Sequence, residues 1–110
     1  MTGGGNILNK LVSFGFNADN TPSGHLNYQD NGEDFHLVSD SIDSFSYDPV
    51  MNEVTFTGRG HVDRGMVTFT VKVQDNGEPG TTDRFSIMIA GARTSTRSGV
   101  LTQGNIQFHR

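Results

Sequence analysis

The sequence predicts an all-β domain, either an antiparallel β-sandwich or a small up-and-down β-barrel of about eight strands. Three observations predict it. Apolar and polar residues alternate with a period of two over most of the chain. Turn-forming residues interrupt that alternation at regular spacing. No apolar stripe of helical period runs longer than two turns, and the chain has only three Ala and five Leu.

Strands are expected near residues 7–18, 23–30, 33–39, 42–48, 53–63, 66–75, 82–91 and 98–109. In the first, Val12, Phe14 and Phe16 alternate with small or polar residues, and a short helix over Ile7–Val12 is the weaker alternative. Val67, Phe69, Val71 and Val73 alternate with Thr68, Thr70 and Lys72; Phe85, Ile87 and Ile89 alternate with Ser86 and Met88. Ile106 and Phe108 do the same against Gln107 and His109. Each pattern gives one face to a core and the other to water.

Asp30-Asn31-Gly32 and Asp75-Asn76-Gly77 read as hairpin turns, because Asn-Gly supplies positive φ angles. Asp63-Arg64-Gly65 reads as a short loop ending in a left-handed glycine. Asp48-Pro49-Val50-Met51-Asn52 reads as a turn with φ fixed by proline. Gly91–Gly99 reads as a longer polar loop whose Arg93–Arg97 stretch could meet an anion. Gly58, Gly60 and Gly104 fall inside strands, where they suggest the bulges or bends a curling sheet needs. The glycine-rich residues 1–5 are expected to be a disordered leader or domain junction, and 6–110 one all-β domain.

The charge is uneven. The net charge is −4, yet residues 11–58 carry eight acidic side chains and no Lys or Arg, while residues 59–110 carry seven basic and four acidic ones. Lys10 supplies the remaining positive charge. Strands from the two halves lying side by side would pair these charges; an acidic face for a cation, or head-to-tail association of copies, are the alternatives. The acidity argues against nucleic acid. There is no cysteine, and no apolar run long enough to make a membrane-spanning helix.

Gln29-Asp30-Asn31-Gly32-Glu33 recurs as Gln74-Asp75-Asn76-Gly77-Glu78. Calcium takes six to eight oxygen ligands. Asp75, Asn76, Glu78 and Asp83 offer one oxygen cluster, and Asp30, Asn31, Glu33 and Asp34 a second, so Ca²⁺ is the cofactor the sequence admits. Neither is an EF-hand, since the twelfth position from Asp75 is Ser86. The four histidines, His25, His36, His61 and His109, include no i, i+2 pair of the kind that seeds a zinc site on a strand. For catalysis there is no G-x-S-x-G elbow; Ser39-Asp40-Ser41 and Gly60-His61-Val62-Asp63 bring suitable residue types without a marked oxyanion hole.

The segment Val73–Ile89, with DNGEPG followed by Asp83-Arg84-Phe85-Ser86-Ile87, and the end GNIQFH, with the opening Phe14-Gly15-Phe16-Asn17, resemble small all-β modules near the C-termini of bacterial secreted and surface-anchored proteins. Gln103 stands where those modules carry a glycine. The resemblance implies location and architecture more than an activity. The expected function is thus a non-catalytic extracellular accessory, binding or structural module, calcium-stabilised at the DNGE loops. Its partners would be neighbouring domains of a larger secreted protein or a surface ligand, with weak self-association, no nucleic acid and no membrane span. The alternatives are a small hydrolase using His61 or His36 with nearby Asp or Ser, and a lipocalin-like carrier of a small apolar ligand.

Overall fold

A computed structural model describes residues 2–8, 11–17, 24–63, 65–74 and 83–107. Among these are eight strands: β1 (Thr2–Ile7), β2 (Val12–Asn17), β3 (His25–Asp30), β4 (Phe35–Asp48), β5 (Glu53–Val62), β6 (Gly65–Gln74), β7 (Arg84–Gly91) and β8 (Ser95–Gln107). Each pairs antiparallel with the next, and β1 pairs with β8, so the sheet closes into an up-and-down barrel. Of the two architectures the alternation allowed, the barrel is the one formed. Closure leaves no open sheet edge. The barrel is flattened, 37 × 31 × 18 Å.

Closure depends on the segment expected to be a leader. Thr2–Ile7 is a full strand, paired with β2 on one side and β8 on the other. Glycine has little strand propensity and no side chain to alternate, so this strand carries no periodic signal. Its context supplies what it lacks: backbone partners on both sides, with Gly3 and Gly5 opposite Phe16 and Phe14 of β2. No helix forms over Ile7–Val12 among the described residues; Ile7 ends β1 and Val12 begins β2.

Two expected strands, 33–39 and 42–48, are one strand, β4, with register shifts at Ser39/Ser41 and Ile42/Ser44. The bulges explain the glycines opposite them on β5. A Cβ on Gly58 would collide with the Ser41 carbonyl oxygen, and one on Gly60 would approach the Val38 carbonyl oxygen to 2.5 Å. Only a bare Cα lets the bulged strand fold this closely onto its partner.

Among the described residues, twenty apolar side chains are buried inside. Seven rings run through them as a chain of contacts: Phe35, Tyr28, Phe85, Phe14, Phe16, Phe56 and Phe69. They come from six strands. Phe14 of β2 and Phe85 of β7, which are not neighbours in the sheet, stack at 3.9 Å between centroids and 8° between planes. The flattening brings opposite walls into this contact, and the interior is filled as in a sandwich.

The hairpin turns are built differently from the expectation. The positive φ after β3 lies at Asp34 (59°), not in the Asn31-Gly32 pair. The Asp30 side chain instead holds the turn by accepting the Gly32 and Glu33 backbone N–H groups, both at 2.8 Å. Asp48 does the same for Val50 and Met51, at 2.9 and 3.3 Å, and Asn52 takes the positive φ of 50°. The turn 31–34 and the turn 49–52 thus share one design, an Asp before the turn and an Asp or Asn four residues on, with different residues between.

Candidate functional site

Strand direction sorts the connections into two ends. The β1–β2, β3–β4, β5–β6 and β7–β8 connections share one end; the β4–β5 turn and the segment after Gln74 leave from the other. The first DNGE copy follows β3 at the first end; the second begins after Gln74, which ends β6 at the other, and its residues 75–78 lie outside the described residues.

At the first end, four ionic side chains from β3, its turn, the β7–β8 connection and β8 form a part-buried cluster around one buried carboxylate. Asp30 is fully buried. Arg97 of β8 reaches across the barrel mouth and donates from Nε to its Oδ2 at 2.8 Å and from Nη2 to its Oδ1 at 3.3 Å. The same Nη2 lies 3.3 Å from Glu33 Oε2, which also accepts the Ser95 hydroxyl at 2.7 Å. Arg93 donates to the Glu33 carbonyl oxygen at 2.8 Å and lies 4.2 Å over the Phe35 ring. A guanidinium suits this place because its fixed fork meets a carboxylate with two bonds and its flat face covers a ring.

These contacts set the protonation. Burial pushes the Asp30 carboxyl up, but the Arg97 hydrogen bonds and charge and the Glu33 and Gly32 backbone donors outweigh it and hold it below the ordinary carboxylate value. Tyr28 stands beneath, its hydroxyl buried without a completed hydrogen bond. Burial, then the Asp30 charge, push its proton loss well above the ordinary phenol value, so it stays neutral.

The segment expected as a polar loop, Gly91–Gly99, is largely strand. Ser95 starts β8, and Ser95, Arg97, Gly99 and Leu101 turn inward while Thr96, Ser98 and Val100 face out. The alternation is present, but its inward positions are polar, so it reads as loop in the sequence. The anions that Arg93 and Arg97 meet are the protein's own.

The expected calcium ligands divide. Asp30 and Glu33 come together, but on two arginines, whose charges occupy the positions a cation would take. Asp34 and Asn31 are exposed on the turn. Asp83 is buried at the opposite end, where its carbonyl accepts the Leu101 N–H at 2.9 Å. Asp75, Asn76 and Glu78 lie outside the described residues. Among the described residues, no group of three His, Cys, Asp or Glu could hold a metal ion.

Against the cluster, sharing Glu33 and Arg93 with it, a cleft of about 510 Å³ opens toward Asp34, Phe35 and Asp63. On the neighbouring wall His61 Nδ1 meets Asp40 Oδ1 at 3.0 Å, both side chains about half exposed. The nearby serines are directed elsewhere: Ser39 accepts the Leu26 N–H at 2.8 Å and Ser41 donates to Asp43 at 2.9 Å. His25 and His36 are exposed on β3 and β4, and His109 lies outside the described residues.

The charge asymmetry resolves here. Asp30, Glu33, Asp40 and Asp43 of the acidic half meet Arg97, Arg93, His61 and Arg59 of the basic half. Comparison of the chain with protein-family models, curated proteins and solved structures finds no match.

Proposed function

We propose that this domain is a non-catalytic accessory module of a bacterial secreted or surface protein, acting as a rigid spacer or binding unit among neighbouring domains. The observation that carries the reading is the filled barrel. The ring chain from Phe35 to Phe69 occupies the space where a carrier would hold an apolar ligand. At one mouth, the groups that could do polar chemistry, Asp30, Glu33, Arg93 and Arg97, are bound to one another. These ion pairs tie the β3 turn to β8 across the mouth. The resemblance of the Val73–Ile89 and GNIQFH segments to modules of surface proteins supports the setting.

Calcium enters this reading through Asp75, Asn76, Glu78 and Asp83, since arginines already neutralise Asp30 and Glu33. The hydrolase alternative rests on the His61–Asp40 pair. The test uses the isolated domain, assayed for uptake of an apolar fluorophore and for turnover of activated esters. The proposal expects neither. Saturable ester turnover lost in His61→Ala, or stoichiometric fluorophore binding to the native barrel, would overturn it.

A further inference from the structure

We propose that copies of this chain associate head to tail, the β4–β5 hairpin tip of one copy seating in a groove between β6 and β7 of the next. The tip is apolar and held in shape. Val50 is 92% exposed and Met51 51%. Besides the Asp48 bonds, Tyr47 donates its hydroxyl to Asn52 Oδ1 at 2.8 Å, and Gln74 Nε2 donates to the Met51 carbonyl at 3.1 Å. An exposed apolar turn fixed by four hydrogen bonds has little conformational freedom left to lose on binding.

The same chain carries a receptor for it. A groove of about 240 Å³ on the outer wall is lined by Arg59, Met66, Val67, Thr68, Ala90 and Gly91. Met66 stands 61% exposed beside it. A cavity of roughly 150 Å³ holds a benzene-sized group, so this groove takes a valine and part of a methionine. Charge agrees with shape. Asp48 and Glu53 flank the tip within the stretch 11–58 that has no Lys or Arg, while the groove is edged by Arg59. Arg59 gives two of its five donors to Asp43 and is 64% exposed, which leaves donors for a second carboxylate.

A copy cannot fill its own groove. The tip lies at one end of β5 and the groove on the wall toward the other, roughly 30 Å away at the rise of a strand. Tip and groove are different surfaces, so the contact is heterologous and propagates rather than closing into a dimer. The turn is small, so each contact belongs to the weak class well under about 1,000 Å². This inference concerns the outer wall and does not rest on the module reading above.

Sedimentation equilibrium of the full chain, from micromolar to millimolar concentration, tests it. The weight-average mass should rise with concentration past that of a dimer. Val50→Asp and Met66→Asp, both at exposed positions, should each remain monomeric with unchanged circular dichroism. Mixed in equal amounts they should form dimers that grow no further, because one intact tip and one intact groove remain. A wild-type chain that stays monomeric throughout, growth that stops at a dimer, a Val50→Asp variant that still associates, or a mixture that does not pair would overturn the proposal.

Discussion

Replacing Arg97 by Ala should destabilise the domain most at neutral pH and least in acid. Asp30 accepts four hydrogen bonds, two from backbone N–H groups and two from Arg97. Removing Arg97 leaves a fully buried carboxylate with only the backbone pair. Breaking a buried ion pair costs about 3–5 kcal/mol. Arg97 itself keeps 23% of its side chain in contact with solvent and the backbone donors survive, so about 3 kcal/mol is expected here. That corresponds to a drop in Tm of roughly 12 °C for a domain of this size.

The pH dependence follows from the sign of each shift. In the wild type the folded-state pKa of Asp30 is depressed, so its contribution is present above the unfolded carboxylate value and lost as pH falls through the folded value. Without Arg97 its hydrogen bonds and charge no longer offset burial, so the folded pKa of Asp30 rises relative to the wild type. The variant then gains stability relative to wild type as acid protonates Asp30. Urea unfolding followed by circular dichroism at pH 7 and pH 4 measures both gaps. A loss below about 1 kcal/mol at pH 7, within the range of an exposed pair, or a gap that widens at pH 4, would refute the reasoning.

Other perturbations separate packing from surface effects. Phe85→Ala should cost about 3–5 kcal/mol, read as a lower urea midpoint at unchanged slope, because Phe85 is 1% exposed and lies between Phe14 and Tyr28. Gly58→Ala should unfold or severely destabilise the domain through collision with the Ser41 carbonyl, while Gly15→Ala, whose added Cβ meets nothing within 4 Å, should leave Tm nearly unchanged. Arg59→Ala breaks an exposed pair with Asp43 and should leave the melting curve where it is. Deleting residues 1–5 should lower Tm sharply, because it removes most of the strand that closes the barrel.

The strands whose inward residues are apolar could be read from the sequence. β6 and β7 were legible because Val67 to Val73 and Phe85 to Ile89 alternate without interruption, and both lie where the pattern puts them. β1 was not, because three glycines in a row have no side chains to alternate; its place comes from backbone pairing with β2 on one side and β8 on the other. The start of β8 was hidden for the opposite reason. Its inward residues Ser95 and Arg97 are polar, and what makes them core residues is the carboxylates of Asp30 and Glu33, which are more than sixty positions away. The charge asymmetry between the halves was the one trace of that clamp in the sequence, and it named neither the partners nor the end of the barrel. The Asn-Gly turn rule misplaced the left-handed residue because the Asp30 side chain supplies the turn's hydrogen bonds and moves the positive φ to Asp34.

The most direct test of the account is a nuclear Overhauser spectrum of the aromatic region. A barrel packed solid across its thin dimension predicts strong contacts between the Phe14 and Phe85 ring protons, with upfield shifts from their stacking, and no contacts from those rings to water. Absence of the Phe14–Phe85 contacts, with water signals reaching the rings instead, would contradict it: the barrel would then enclose a wet chamber where the structure places a core.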